Sequence, residues 1–211
     1  MILPLLVGAG LALWGATPWR RVFVAVGFPL SLAASGLAGS LPGWVWLLPL
    51  VLLVLLYPLN TWRDAPLFPT PTGALQGLDR CVPLPASARI VDAGCGLGAG
   101  LIELHRVYPQ ARIEGLEWSW PLRLACALRC RFAQVRRADI WAADWSAFDL
   151  VYLFQRPESM QRAADKAGAE LKPGAWMVSL EFEAASLKAQ AVLALGEGRK
   201  VWAYRAPFKR N

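Results

Sequence analysis

Ile90-Val91-Asp92-Ala93-Gly94-Cys95-Gly96-Leu97-Gly98-Ala99-Gly100 is the stretch on which the fold turns. Arg89–Ala93 reads as a buried strand, and four glycines in alternate positions follow it before a helical pattern begins. Glycine at such a turn lets the backbone reverse sharply and approach a ligand with no Cβ in between. In open α/β sheets ligands bind beyond the carboxyl ends of the strands, where this loop would lie.

Working outward, strand-like and helix-like runs alternate. Gly98–Val107 is predicted to be the helix after the loop, Arg112–Leu116 a second strand, Pro121–Phe132 a second helix and Gln134–Ala138 a third strand. Asp149–Phe154 is a fourth strand, Glu158–Leu171 a helix, and Ala175–Glu181 a fifth strand after the Pro173-Gly174 turn. Ser186–Leu195 is expected to be helical and Lys200–Ala206 to form the last strand. This alternation predicts an α/β, Rossmann-like, mainly parallel sheet with helices on both faces, spanning residues 89–211.

The glycine loop alone is ambiguous, because Gly94-x-Gly96-x-x-Ala99 also meets a relaxed dinucleotide fingerprint. Three acids separate the readings. Asp92, two residues before the first glycine, would repel a pyrophosphate but suits a cationic amino acid or sulfonium group. Glu117 ends the second strand, where a carboxylate accepts hydrogen bonds from both ribose hydroxyls. Asp139 ends the third strand, placed for an adenine amino group, although capping a turn is its plainer role. One acid after each of three successive strands fits a nucleoside joined to a charged amino acid, as in S-adenosylmethionine. Beside Asp92, Gly94, Gly96, Gly98, Glu117 and Asp139, the neighbouring Trp118 and Ile140 are candidate contacts to this methyl-donor cosubstrate.

Residues 89–181 resemble the class I S-adenosylmethionine-dependent methyltransferases. Asp92 and its glycines match their first motif, Glu117 their ribose acid, Asp139-Ile140-Trp141 their adenine segment, and Leu171-Lys172-Pro173-Gly174 the turn before their fifth strand. Leu97 stands where many of them carry a second acid. Residues 66–206 are similar to the small membrane-tethered protein-lysine methyltransferases whose known members modify ATP synthase c-subunit and adenine-nucleotide carrier proteins. The Pro-Thr lead-in Phe68–Thr72 and the final Val201–Arg205 carry that likeness. It implies lysine methylation of a membrane-associated protein, with Gln155 the candidate for positioning the substrate. Phe154-Gln155-Arg156-Pro157 lacks the family's motif for planar amino groups, so no nucleic acid is expected. A lipid or quinone acceptor, or an inactive membrane scaffold, are the competing readings.

The first third of the chain has a different character. Arg20 and Arg21 are the only charges before Arg63, and the first acid is Asp64. Residues 22–41 are 20 uncharged residues, which as a helix span about 30 Å, the thickness of a hydrocarbon core. With the apolar runs 2–19 and 44–59 they predict an α-helical transmembrane anchor of two to three helices over residues 1–62, followed by an irregular Pro/Thr-rich linker over 63–88. Trp14, Trp19, Trp44, Trp46 and Trp62 fall where an aromatic belt would lie. The positive-inside rule then places the 89–211 domain in the cytoplasm, and the absence of an Arg/Ser-rich leader points to a bacterial inner membrane.

From Arg63 on there are 20 basic and 15 acidic residues. Arg129, Arg131, Arg136 and Arg137 offer guanidinium groups to lipid phosphates or simply to solvent. Cys81, Cys95, Cys126 and Cys130 lack the paired spacing of a zinc site, so reduced thiols and no metal are expected. No pattern in the sequence encodes an oligomeric state.

Overall fold

The computed structural model describes residues 68–195 and 198–211, together with residues 42, 44, 47, 48 and 51. The chain divides into two compact units, Met1–Leu53 and Val54–Asn211. In the first, Leu47, Leu48 and Val51 are helical and their side chains are exposed. The expected spans over 2–19, 22–41 and 44–59 otherwise lie outside the described residues. Among the described residues no helix is long and apolar enough to cross a membrane.

The second unit is built on a seven-stranded mixed sheet: β1 (Arg89–Ala93), β2 (Arg112–Glu117), β3 (Gln134–Arg137), β4 (Leu150–Leu153), β5 (Trp176–Leu180), β6 (Ala191–Ala194) and β7 (Lys200–Arg205). Their order is β3-β2-β1-β4-β5-β7-β6. β1 to β5 run parallel, while β7 lies antiparallel to β5 and β6 antiparallel to β7. The chain moves outward from β1 to β3, then crosses to β4 on the other side. The sheet order therefore reverses between β1 and β4, and that switch opens a crevice at their carboxyl ends.

Among the described residues four α-helices accompany the strands: α1 (Leu78–Cys81), α2 (Ala99–Val107), α3 (Trp120–Arg129) and α4 (Met160–Glu170). Successive strand residues face opposite ways, and both faces are covered. Ile90, Ile113, Leu150 and Val178 join Leu78 of α1, Leu101 and Leu104 of α2 and Cys126 of α3 in one core. Val91, Leu116, Val151 and Met177 pack with Met160, Ala163 and Ala167 of α4 and with Trp145 and Phe148 in the other. β4 and β5 are buried along their whole length, as expected for central strands covered twice.

Two segments depart from expectation. Residues 70–82 are not a loose tether: a series of turns leads into α1, and Leu75, Leu78 and Val82 are fully buried. The predicted helix over 186–195 is instead an irregular stretch followed by β6, whose side chains alternate between half-buried and exposed as it pairs with β7. Alanine and leucine favour a helix there locally, but a strand satisfies its backbone on the β7 edge, and tertiary pairing wins.

Candidate active site at the carboxyl ends of the strands

β1 enters the glycine loop with its backbone held to the neighbouring strand. The amides of Gly94 and Cys95 both donate to the Leu116 carbonyl at 3.0 Å. The loop then turns through left-handed conformations, with Gly94 at φ 98° and Gly98, the residue that starts α2, at φ 85°. A side chain is excluded at both for a second reason. A Cβ on Gly94 would lie 2.6 Å from Gln155 Nε2, and one on Gly98 would lie 2.5 Å from Cys130 Sγ and 2.9 Å from Cys126 Sγ.

Asp92 sits beneath this loop, 3% exposed. It packs against the first turn of α2: a Cβ on Gly100 would collide with Asp92 Oδ2 and come 2.9 Å from Tyr152 Cε1. Among the described residues no donor reaches the Asp92 carboxylate. Burial pushes its pKa well above the usual carboxylate range, and the nearby Cys126 and Glu117 push it the same way. Such a carboxyl is strained toward its neutral form until a cation arrives to pair with it.

Glu117 is also buried but is well supplied with donors. The Gly96 amide donates to Oε2 at 2.9 Å and the Ser119 amide to Oε1 at 2.8 Å. Burial raises its pKa, while the amides of Ser119, Gly96 and Trp118 act to lower it. Each carboxylate oxygen keeps a further acceptor position, so Glu117 can fix the glycine loop and still accept two hydroxyls. Asp92, the loop glycines and Glu117 thus form one connected group.

The remaining predicted residues are placed less decisively. Ala138 donates to the Glu117 carbonyl at 3.2 Å, and the chain leaves the sheet at Asp139. Asp139 Oδ1 accepts the Trp141 amide at 2.9 Å, so this side chain does cap a turn, with Oδ2 left over for a ligand. Ile140 is half-buried beside it. Trp118 is exposed, with the Arg137 guanidinium 5.1 Å above its ring. Gln155 follows β4, and its Nε2 donates to the Ala93 carbonyl at 3.1 Å, holding it over the start of the glycine loop. Its Oε1 remains an acceptor.

Sequence reasoning missed the residues that close the site from the β4 and β5 side. Tyr152 is fully buried beside Asp92 and shares a 2.9 Å hydrogen bond with Thr70, which brings the Pro/Thr lead-in to the sheet. Phe154 lies between Phe68 and Phe182, with ring centroids 6.3 Å and 6.5 Å away. Glu181, directly after β5, adopts φ 67°, a conformation costly for a residue with a Cβ, and its carboxylate lies 3.7 Å from Arg199. No motif marks Glu181 and Phe182 in the sequence; only the β5 register puts them beside β4. All four cysteines are free thiols, and no metal-holding cluster exists among the described residues.

Residues 92–191 match the family model for the ANTKMT methyltransferase domain. An RNA methyltransferase from Salinibacter ruber, solved with S-adenosylhomocysteine, shares this fold with a TM-score of 0.60 at 23% identity, covering 65% of this chain and 93% of that one. A ribosomal protein L11 methylase from Lactobacillus delbrueckii gives 0.50 at 15% identity, covering 65% of this chain and 77% of that one. Trans-aconitate 2-methyltransferase from Variovorax paradoxus is 37% identical over 83 residues, 38% of this chain and 32% of that protein. The chain spans about a third of the length of the curated relatives it matches. By their names those proteins act on acceptors as different as RNA, a ribosomal protein and a small acid, and what the two solved structures share with this chain is the fold.

Proposed function

Proceeding from residues 92–191 as a class I S-adenosylmethionine-dependent methyltransferase domain, we propose that the protein methylates a lysine side chain of a membrane-associated protein. In this reading residues 1–62 anchor the chain in a bacterial inner membrane and the domain works on the cytoplasmic side. The observation that carries it is the candidate donor half-site: Asp92 buried and without a donor among the described residues, joined through the glycine loop to Glu117, at the switch between β1 and β4. A cationic amino-acid moiety supplies the charge that Asp92 needs, and Glu117 takes the ribose. Gly94 and Gly98 give the loop its left-handed turns and let Gln155 and Cys130 pack closely against it.

The acceptor half-site supports an amine. Phe154 and Phe182 offer aromatic surface, Glu181 a carboxylate, and Gln155 Oε1 a carbonyl-type acceptor. An ammonium group is attracted to a carboxylate and to ring faces, and it must lose a proton before its lone pair can attack. In this reading Glu181 takes that proton or passes it to water. The new N–C bond then forms as the C–S bond of the sulfonium breaks and S-adenosylhomocysteine leaves. Catalysis on this account is alignment of nitrogen, methyl carbon and sulfur. The family description, adenine nucleotide translocase lysine methyltransferase, agrees with this acceptor class. The exposed apolar side chains of helical Leu47, Leu48 and Val51 agree with an anchor.

The test is transfer from methyl-labelled S-adenosylmethionine in membranes of the source cell, with the products divided into protein and lipid. Label in N-methyl-lysine of a membrane protein, lost with Glu181→Ala, supports the reading. Label confined to the protein-free lipid extract replaces it with methylation of a hydrophobic small molecule, which the aromatic rim also suits. No label in either fraction from a chain that binds S-adenosylhomocysteine leaves the inactive scaffold.

A further inference from the structure

The charge of the chain from Arg63 onward is not spread over it. Between Glu117 and Asp139 there are five arginines and no acid, and these five account for the whole excess of 20 basic over 15 acidic residues. Among the described residues, Arg123, Arg129, Arg131 and Arg137 form no ion pair with a carboxylate; only Arg136 does, with Glu114 at 2.9 Å. Arg123, Arg129 and Arg137 donate instead to carbonyls, of Val135, Leu97 and Trp118, which leaves their charge uncompensated.

The same segment exposes an apolar row. Trp120, Leu124 and Leu128 follow one another at helical spacing along α3 and are 57%, 50% and 63% exposed. Trp118 before the helix, Phe132 after it and Leu97 from the glycine loop are exposed as well. Single exposed leucines are ordinary on any surface, but a row of this length beside unpaired guanidinium groups is a different object.

We propose that the outer face of α3 is a second membrane contact, a monotopic one, that lies against an anionic bilayer surface. Tryptophan, leucine and phenylalanine on one side and arginine around them is the composition of a helix held at the head-group boundary. Arg123 and Arg137 already lie over the rings of Trp120 and Trp118, so each guanidinium stays beside the apolar row while remaining able to meet a phosphate. A protein that presents lysine would be repelled by this face, which favours lipid as its occupant. The inference goes beyond the anchor assigned to residues 1–62 and rests on the membrane reading above only for its choice of partner. Its consequence is positional. Trp118 directly follows Glu117, and Arg129 holds the Leu97 carbonyl at 3.2 Å, so docking brings the rim of the donor half-site to the head groups.

The full chain, carrying Leu124→Cys or Leu128→Cys, is reconstituted into phosphatidylcholine bilayers with and without phosphatidylglycerol. A water-soluble maleimide is added, and the labelled peptide is followed by mass spectrometry. Gln161→Cys on exposed α4 is the control, and S-adenosylhomocysteine binding is measured in the same samples. Labelling of the two α3 cysteines is expected to slow by about tenfold or more in the phosphatidylglycerol bilayers. High salt should restore it, and Gln161→Cys should not respond. Equal rates in both bilayers overturn the proposal, whether fast, because nothing docks, or slow, because another segment or copy of the chain covers the face. Protection that needs an added substrate protein overturns it too, in favour of a protein interface. Retained homocysteine binding with no protection rejects the docking and leaves the donor site standing; the reverse result rejects the donor site alone.

Discussion

Replacing Gly100 and Gly168 by alanine, one at a time, makes the same chemical change in two helices and should raise stability only at Gly168. Gly168 lies in α4 with nothing within 4 Å of where its Cβ would stand. Alanine there gains helix propensity and restricts the unfolded chain, for about 1 kcal/mol of added stability. Gly100 lies in the first turn of α2, where a Cβ would collide with Asp92 Oδ2 and stand 2.9 Å from Tyr152 Cε1. Both neighbours are buried, and Tyr152 is held by Thr70, so they have little room to give. Overpacking of this kind costs about 1–3 kcal/mol, which cancels or exceeds the propensity gain. The two variants should therefore differ by that cost, at about 2–4 °C of unfolding midpoint per kcal/mol. Calorimetric titration with S-adenosylhomocysteine on the same samples should show affinity lowered for Gly100→Ala and unchanged for Gly168→Ala. Equal midpoints with full affinity in both would refute the claim that α2 holds Asp92 in its place.

Three further substitutions test individual residues. Asp92→Asn should raise the stability of the unliganded protein, because the folded pKa of Asp92 is raised and its ionised form is disfavoured. With the folded value above the unfolded one, wild-type stability is lost as pH rises from about 4; the variant should lack that loss in unfolding scans across pH, and it should not bind the cofactor. Wild-type affinity for the cationic donor should correspondingly fall on acidification. Glu117→Gln puts an amide where the Gly96 and Ser119 N–H groups need acceptors on both oxygens. At about 1.5–3 kcal/mol for a hydrogen bond to a charged group, calorimetry should show affinity roughly tenfold to a hundredfold weaker. Glu181→Gly should relieve the φ 67° conformation and raise the unfolding midpoint by the equivalent of about 1 kcal/mol or more, while lowering methyl-transfer kcat/KM.

The donor half of the site was legible because it is local. Asp92 and its glycines lie within one strand and one turn, and Glu117 and Asp139 each mark the end of a strand-like run. The acceptor half is assembled by contacts between distant residues. Glu181 and Phe182 carry no motif, and Phe68 and Thr70 reach Phe154 and Tyr152 from a Pro/Thr segment that reads as a tether. Leu75, Leu78 and Val82 show too short a periodicity to announce a helix, yet burial against the sheet orders them. Ala191–Ala194 was misread because alanine and leucine are good helix formers and the β7 edge that captures them lies later in the chain. Asp139 showed both of its possible uses in the sequence, and the cap to Trp141 is the one the geometry displays.

The most direct measurement is titration of the full chain with S-adenosylhomocysteine and, separately, with NAD, in wild type and Asp92→Ala. Micromolar binding of S-adenosylhomocysteine, about −8 kcal/mol in free energy, is expected in the wild type and lost on the substitution, with no binding of NAD in either. Tight NAD binding in a folded chain that ignores S-adenosylhomocysteine would contradict it.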